Sequence, residues 1–131
     1  MTHLEELTTE RAWELAATVQ ISRIGWTGPG GPAVVPVNHA VHDGVVWIRT
    51  SAHSALAAEV DESQVALLVD HLDATTHVGW SVQFRGRAEI LYHEDQVDPA
   101  VLGLHSWPSG ARPLWIRLRP EQVNGRELVA D

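Results

Sequence analysis

Cysteine is absent from the 131-residue chain, which excludes disulfides, thiolate zinc sites and cysteine nucleophiles together. Basic charge is scarce: nine Lys and Arg stand against 17 Asp and Glu, for a formal net charge of −8. Sequence-independent binding to nucleic acid or to an anionic membrane surface relies on basic patches, so neither partner is expected. Seven of the nine basic residues do fall in strand-like segments or at their ends, which leaves room for a local anion site. Long apolar runs are also missing, and no segment approaches the roughly 20 residues that a membrane-spanning helix needs. The start, Met1-Thr2-His3-Leu4-Glu5-Glu6, is acidic and lacks the basic and apolar regions of a secretory signal. A cytoplasmic address is the expectation.

What is present suits one compact domain spanning residues 1–131. Hydrophobic residues make up 44% of the chain, enough to offset chain entropy and argue against disorder. The organising stretch is Pro32 to Ser54. Ala33, Val35, Val37, His39 and Val41 fall on one side of an extended chain, and Val34, Pro36, Asn38, Ala40 and His42 on the other. Asp43-Gly44 separates this run from Val45 to Thr50 and suits a type I′ turn, so the stretch predicts a β-hairpin. The second strand delivers Arg49, Thr50, Ser51, His53 and Ser54 to one end. A guanidinium among hydroxyls at a strand end is an anion seat by chemistry, although a strand-end arginine paired with a carboxylate is the plainer reading of Arg49.

Thr8 to Thr18 predicts a helix capped by Thr8, with Ala12, Leu15, Ala16 and Val19 on one stripe. Val19 to Trp26 predicts a first strand, closed by the breaker from Thr27 to Pro32. Ser54 is a candidate cap for a short helical turn over Ser54 to Val60. Val65 to Leu72 reads as a strand buried on both faces, and Val78 to Leu91 as a long amphipathic strand. His93 to Leu104 reads as a helix, His105 to Pro113 as a loop, Leu114 to Leu118 as a strand, and Gln122 to Leu128 as a further strand containing Asn124-Gly125. Six or seven hairpin-connected strands with two or three short helices suggest a small antiparallel barrel. Gly28-Pro29-Gly30-Gly31 does not follow the G-x-G-x-x-G spacing of a dinucleotide-binding α/β fold.

Of the eight histidines, His39 and His42 are separated by two residues, a three-position spacing that on a strand directs them to opposite faces; no metal site is expected. Trp13, Trp26, Trp47, Trp80, Trp107 and Trp115 offer either stacking surface or core. Asp70 and Asp73 beside His71 form a candidate proton-transfer group, with pairing of Asp70 to an arginine the simpler reading. No G-x-S-x-G nucleophile elbow occurs, and the catalytic residues stay unassigned.

Three stretches in order, PVNHAVHDGVVWIRTSAHSALAAEV, VALLVDHLDATTHVGWSVQFRGRAEI and PLWIRLRPEQVNGREL, resemble the pyridoxamine 5′-phosphate oxidase-like family of flavin-binding split barrels, in its small actinobacterial-type branch. The likeness runs from the first helix to the end of the chain. It implies a mainly β, six-stranded antiparallel split barrel with a few short helices, a homodimer, and FMN held in two equivalent sites across the subunit interface. The deazaflavin coenzyme F420 is the alternative cofactor. A non-enzymatic dimer that binds haem or another ligand, or lacks a cofactor, is a second alternative.

Carried over by residue, Pro36, Val37 and Asn38 resemble the strand that lies along the flavin ring, and Arg49, Thr50 and Ser51 the segment that meets the phosphate, followed by His53 and Ser54. Trp80 and Ser81 resemble the partner subunit's contribution. One position departs: the family usually places a lysine after the Ser/Thr that opens the short helix, and here that position is Ala55. The implied activity is hydride transfer between the flavin and a small organic substrate or oxygen. Authentic pyridoxamine phosphate oxidation is not expected, since the chain is short and lacks an evident second phosphate site.

Overall fold

The computed structural model describes residues 1–51, 54–104 and 113–131. Its seven strands are β1 (Thr2–Glu6), β2 (Ile21–Gly28), β3 (Gly31–His42), β4 (Val45–Ser51), β5 (Ser63–Leu72), β6 (Gly79–Leu91) and β7 (Pro113–Ala130), with helices α1 (Thr9–Ala16) and α2 (Ala55–Glu59) between them. The sheet order is β1-β7-β4-β3-β2-β5-β6, and β7 also pairs with β6. Six antiparallel strands therefore close into a ring, with β1 added outside it on β7. This is the expected split barrel. Among the described residues no helix is long and apolar enough to cross a membrane.

Alternation builds the interior. Val37 and His39 on β3, Val46 and Ile48 on β4, Leu67 and Val69 on β5, Val82 and Phe84 on β6, and Ile116 and Leu118 on β7 are all buried. The hairpin of β3 and β4 turns as its sequence predicts, with positive φ at Asp43 (52°) and Gly44 (71°). The Thr8 hydroxyl caps α1 by accepting from the Arg11 amide at 3.1 Å. Ala12, Leu15 and Ala16 face the core, and Trp13 meets Phe84 with ring centroids 4.7 Å apart. A smaller apolar layer outside the barrel contains Trp47, Leu91, Val97, Val101, Leu104 and Trp115.

Four elements differ from the sequence reading. β1 was not anticipated, because Thr2 to Glu6 shows no apolar alternation; it is an exposed edge strand paired from Thr2↔Ala130 to Glu6↔Arg126. The segment over His93 to Leu104 is not one helix. It makes two 3₁₀ turns, Glu94–Gln96 and Pro99–Val101, the second restarted by Asp98, whose carboxylate accepts from the Ala100 amide. β5 is buried on one face only, with Leu68 on the other. The two expected C-terminal strands are one strand of 18 residues. Arg119-Pro120 does not end it, because β4 pairs only as far as Leu118 and Pro120 sits opposite Gly86 at a register shift in the β6–β7 ladder. Asn124-Gly125 makes no turn; Gly125 lets α1 approach, and a Cβ there would lie 3.0 Å from Leu7 and 3.1 Å from Ala12. The loop expected over His105 to Pro113 lies, but for Pro113, outside the described residues.

At Gly86 the backbone of β7 lies close against β6: an added Cβ would collide with the Arg119 carbonyl oxygen and the Pro120 backbone. Gly86→Ala is expected to destabilise the domain by roughly 2 to 4 kcal/mol, read as a lower urea midpoint at unchanged m. An unchanged midpoint would mean that the bulge opens freely.

Candidate functional site

β3, β4 and the start of α2 enclose a cleft of about 230 Å³ lined by Val35, Pro36, Val37, Asn38, Arg49, Thr50, Ser51, Ser54, Ala55 and Leu56. Seven of the ten residues carried over from the resemblance, Pro36, Val37, Asn38, Arg49, Thr50, Ser51 and Ser54, thus meet at one place. His53 lies outside the described residues. Trp80 and Ser81 lie elsewhere in the chain, on β6, opposite Glu127 and Arg126 of β7, and Trp80 is buried in the main core.

The register explains the convergence. Asn38 is directly opposite Arg49, and Arg49 is directly opposite Trp115. Directly opposed residues point to the same face, so these three side chains form one row on the outside of the barrel. The Arg49 guanidinium carbon lies 4.4 Å from the Trp115 ring centroid, and its Nε is buried with no hydrogen-bond partner. Among the described residues Arg49 makes no ion pair, and no described carboxylate lines the cleft. In a chain with eight more acidic than basic groups, an arginine left uncompensated is a seat for an anion.

The other members have structural duties as well. The Ser54 hydroxyl donates to the Ser51 carbonyl at 2.8 Å and accepts from the Ala57 amide at 3.1 Å, so it holds the β4–α2 corner. The Asn38 amide reaches the Gln20 carbonyl at 3.4 Å. Ala55 lines the cleft, and no lysine occurs anywhere in the chain to replace the one the family carries there.

The other candidates resolve differently. His39 and His42 do point to opposite faces. His39 is fully buried, and its Nε2–H donates to the Ala16 carbonyl at 3.0 Å. His42 lies 3.5 Å from carboxylate oxygens of Asp43 and Asp98 on the surface, where the three groups bring ligand-type atoms within 4.8 Å of one another. Asp70 pairs with Arg23 at 3.7 Å. Asp73 accepts from the Thr75 and Thr76 amides, which holds its carboxyl below the usual range. Trp115, which sequence inspection leaves among the five tryptophans without an assigned role, is the residue it missed; only the β4–β7 register places it beside Arg49.

The sequence profile of the pyridoxamine 5′-phosphate oxidase family matches residues 8–127. The chain belongs to this family. The uncharacterized protein Rv0080 of Mycobacterium tuberculosis is 35% identical over 131 residues, covering 96% of this chain and 86% of that one. The structure of the FAD binding protein from Mycobacterium smegmatis aligns with a TM-score of 0.74 at 25% identity, over 95% of this chain and 98% of the other. A FAD-binding protein from Mesorhizobium loti shares the fold, with a TM-score of 0.74 at 21% identity over 99% of this chain and 100% of the other.

His39 generates a pH prediction. Burial pushes its imidazole below the ordinary value near 6.5, against a smaller opposing effect from the Ala16 carbonyl. A histidine with a lowered native pKa binds more protons when unfolded. Its contribution is therefore complete above about pH 6.5 and shrinks as the pH falls below that value. Between about pH 7.5 and about pH 5, wild type should lose stability more steeply than His39→Gln, by at most about 1.4 kcal/mol per pH unit. Urea titrations at each pH measure the difference, and parallel curves would contradict it.

Proposed function

We propose that this protein is a homodimeric flavoprotein oxidoreductase that binds FMN, or a related phosphorylated flavin, with the phosphate on Arg49. The carrying observation is the uncompensated Arg49 guanidinium in a cleft free of described carboxylates. The FAD-binding proteins of the same family and fold support a flavin as the ligand. When bound, a flavin supplies hydride transfer with a small organic substrate or oxygen, while the protein supplies position and electrostatics.

The cleft's volume bears on the assembly. About 230 Å³ is smaller than the usual site for a cofactor-sized ligand, so the phosphate and its chain fit while the ring extends along Pro36 to Asn38. A second copy would cover that ring; of the two β6 residues the half-buried Ser81 is the one it would bring, since Trp80 faces its own core. The open face of the β3-β2-β5 sheet favours such a partner: Val34 is 67% exposed and Leu68 37%, both apolar. A cytoplasmic site of action fits a flavin enzyme without disulfides. F420 and haem are alternative occupants, and a family member lacking any cofactor is the non-enzymatic reading; the missing lysine at Ala55 is what favours these over FMN.

Melting curves with FMN, FAD, F420 and haem separate the readings. A flavin at 100 times its dissociation constant should add about 2.7 kcal/mol, on the order of 10 °C for a domain of this size. No shift with FMN or FAD would overturn the flavin reading, and a shift with F420 or haem alone would replace it. Ala55→Lys supplies a second charge at the phosphate and is expected to tighten FMN by roughly ten- to a hundredfold. Unchanged affinity in isothermal titration would place the phosphate away from α2.

A further inference from the structure

Arg49 is held by an aromatic face rather than by a counter-ion. Its guanidinium lies over Trp115, directly opposite it in the β4–β7 ladder. Trp115 is itself fixed: it is 4% exposed and packs with Trp47, Leu91 and Val101 in the layer outside the barrel. An arginine loses substantial rotamer freedom when it is held in one pose. A carboxylate would hold it but would also cancel its charge. An indole face holds it through the ring quadrupole and leaves the charge and the in-plane N–H edge for a ligand.

We propose that Trp115 is a positioning residue that presents Arg49 to a phosphate group, so that the cleft selects phosphorylated ligands over their unphosphorylated counterparts. This rests on the flavin reading for the identity of the ligand, though not for the anion chemistry. Two features make the device suit this chain. The lysine usual in the family is absent and no other lysine exists, and among the described residues lining the cleft Arg49 is the only basic one. The Arg49 Nε is buried without a hydrogen-bond partner, so among the described residues the ring is what holds the inner side of the group.

The test compares FMN with riboflavin, which differ by the phosphate. Dissociation constants are measured by flavin fluorescence for wild type, Trp115→Leu, Trp115→Phe, Arg49→Ala and the Arg49→Ala/Trp115→Leu double variant. Trp115→Leu should weaken FMN by roughly three- to thirtyfold while leaving riboflavin unchanged. Trp115→Phe should recover part of that loss, and Trp115→Leu should have no further effect once Arg49 is gone. A merely structural role lowers both ligands together, and an unchanged FMN-to-riboflavin ratio in both Trp115 variants would overturn the proposal. A second arm uses inorganic pyrophosphate and the NMR signal of the Arg49 Nε–H. That signal should be displaced by the indole ring current in wild type, move on adding pyrophosphate, and lose its displacement in both Trp115 variants in proportion to ring size. If wild type binds no flavin but pyrophosphate moves the signal, the flavin reading fails and the role of Trp115 stands. If pyrophosphate leaves the signal unmoved, the role of Trp115 is overturned.

Discussion

The pairing of β7 with three strands is the constraint on which the rest of the molecule depends. Its first residues pair with β4, its middle with β6, and its last with β1. At Trp115 to Leu118 it is bonded on both sides, to β4 and to β6, and this double pairing closes the ring. A closed ring has no free edge to satisfy and fixes each strand's register against both neighbours. Arg49 consequently meets Trp115 because the barrel closes with that register. A slip of one residue would send Trp115 to the inside and Arg49 onto a different neighbour.

The site follows from an electrostatic imbalance that the fold creates. Carboxylates outnumber basic groups, and most described arginines are paired: Arg11 with Glu14, Arg23 with Asp70, Arg87 with Glu62, and Arg117 and Arg119 with Glu89. Arg49 escapes this pairing because its row contains Asn38 on one side and Trp115 on the other, neither of which is charged. The corner formed by Ser51 and Ser54 then shapes the cleft around it without adding negative charge. A phosphate placed there meets a cation that needs no prior separation from a partner, the arrangement in which charge-assisted contacts are strongest.

Much of this is legible in the sequence, and the exceptions have physical causes. The β3–β4 hairpin can be read because alternation and Asp43-Gly44 are local signals. The caps at Thr8 and Ser54 can be read for the same reason. β1 cannot, since its side chains carry no apolar pattern and its pairing partner, the end of β7, lies at the other end of the chain. The continuity of β7 through Pro120 is hidden because a proline breaks a strand only where its missing N–H is needed. The gathering of Pro36, Val37, Asn38, Arg49, Thr50, Ser51 and Ser54 follows from two adjacent strands and the next turn. The part of Trp115 does not, because sequence separation of 66 positions between it and Arg49 conceals a pairing that only closure of the barrel creates.

The central claim is that the Arg49 guanidinium receives the phosphate of a bound flavin. A crystal structure of the protein grown with FMN measures this directly. The account predicts a flavin phosphate oxygen within about 3 Å of an Arg49 nitrogen, with the guanidinium still stacked on Trp115. A flavin whose phosphate lies against other residues, leaving Arg49 without an anion, would contradict it.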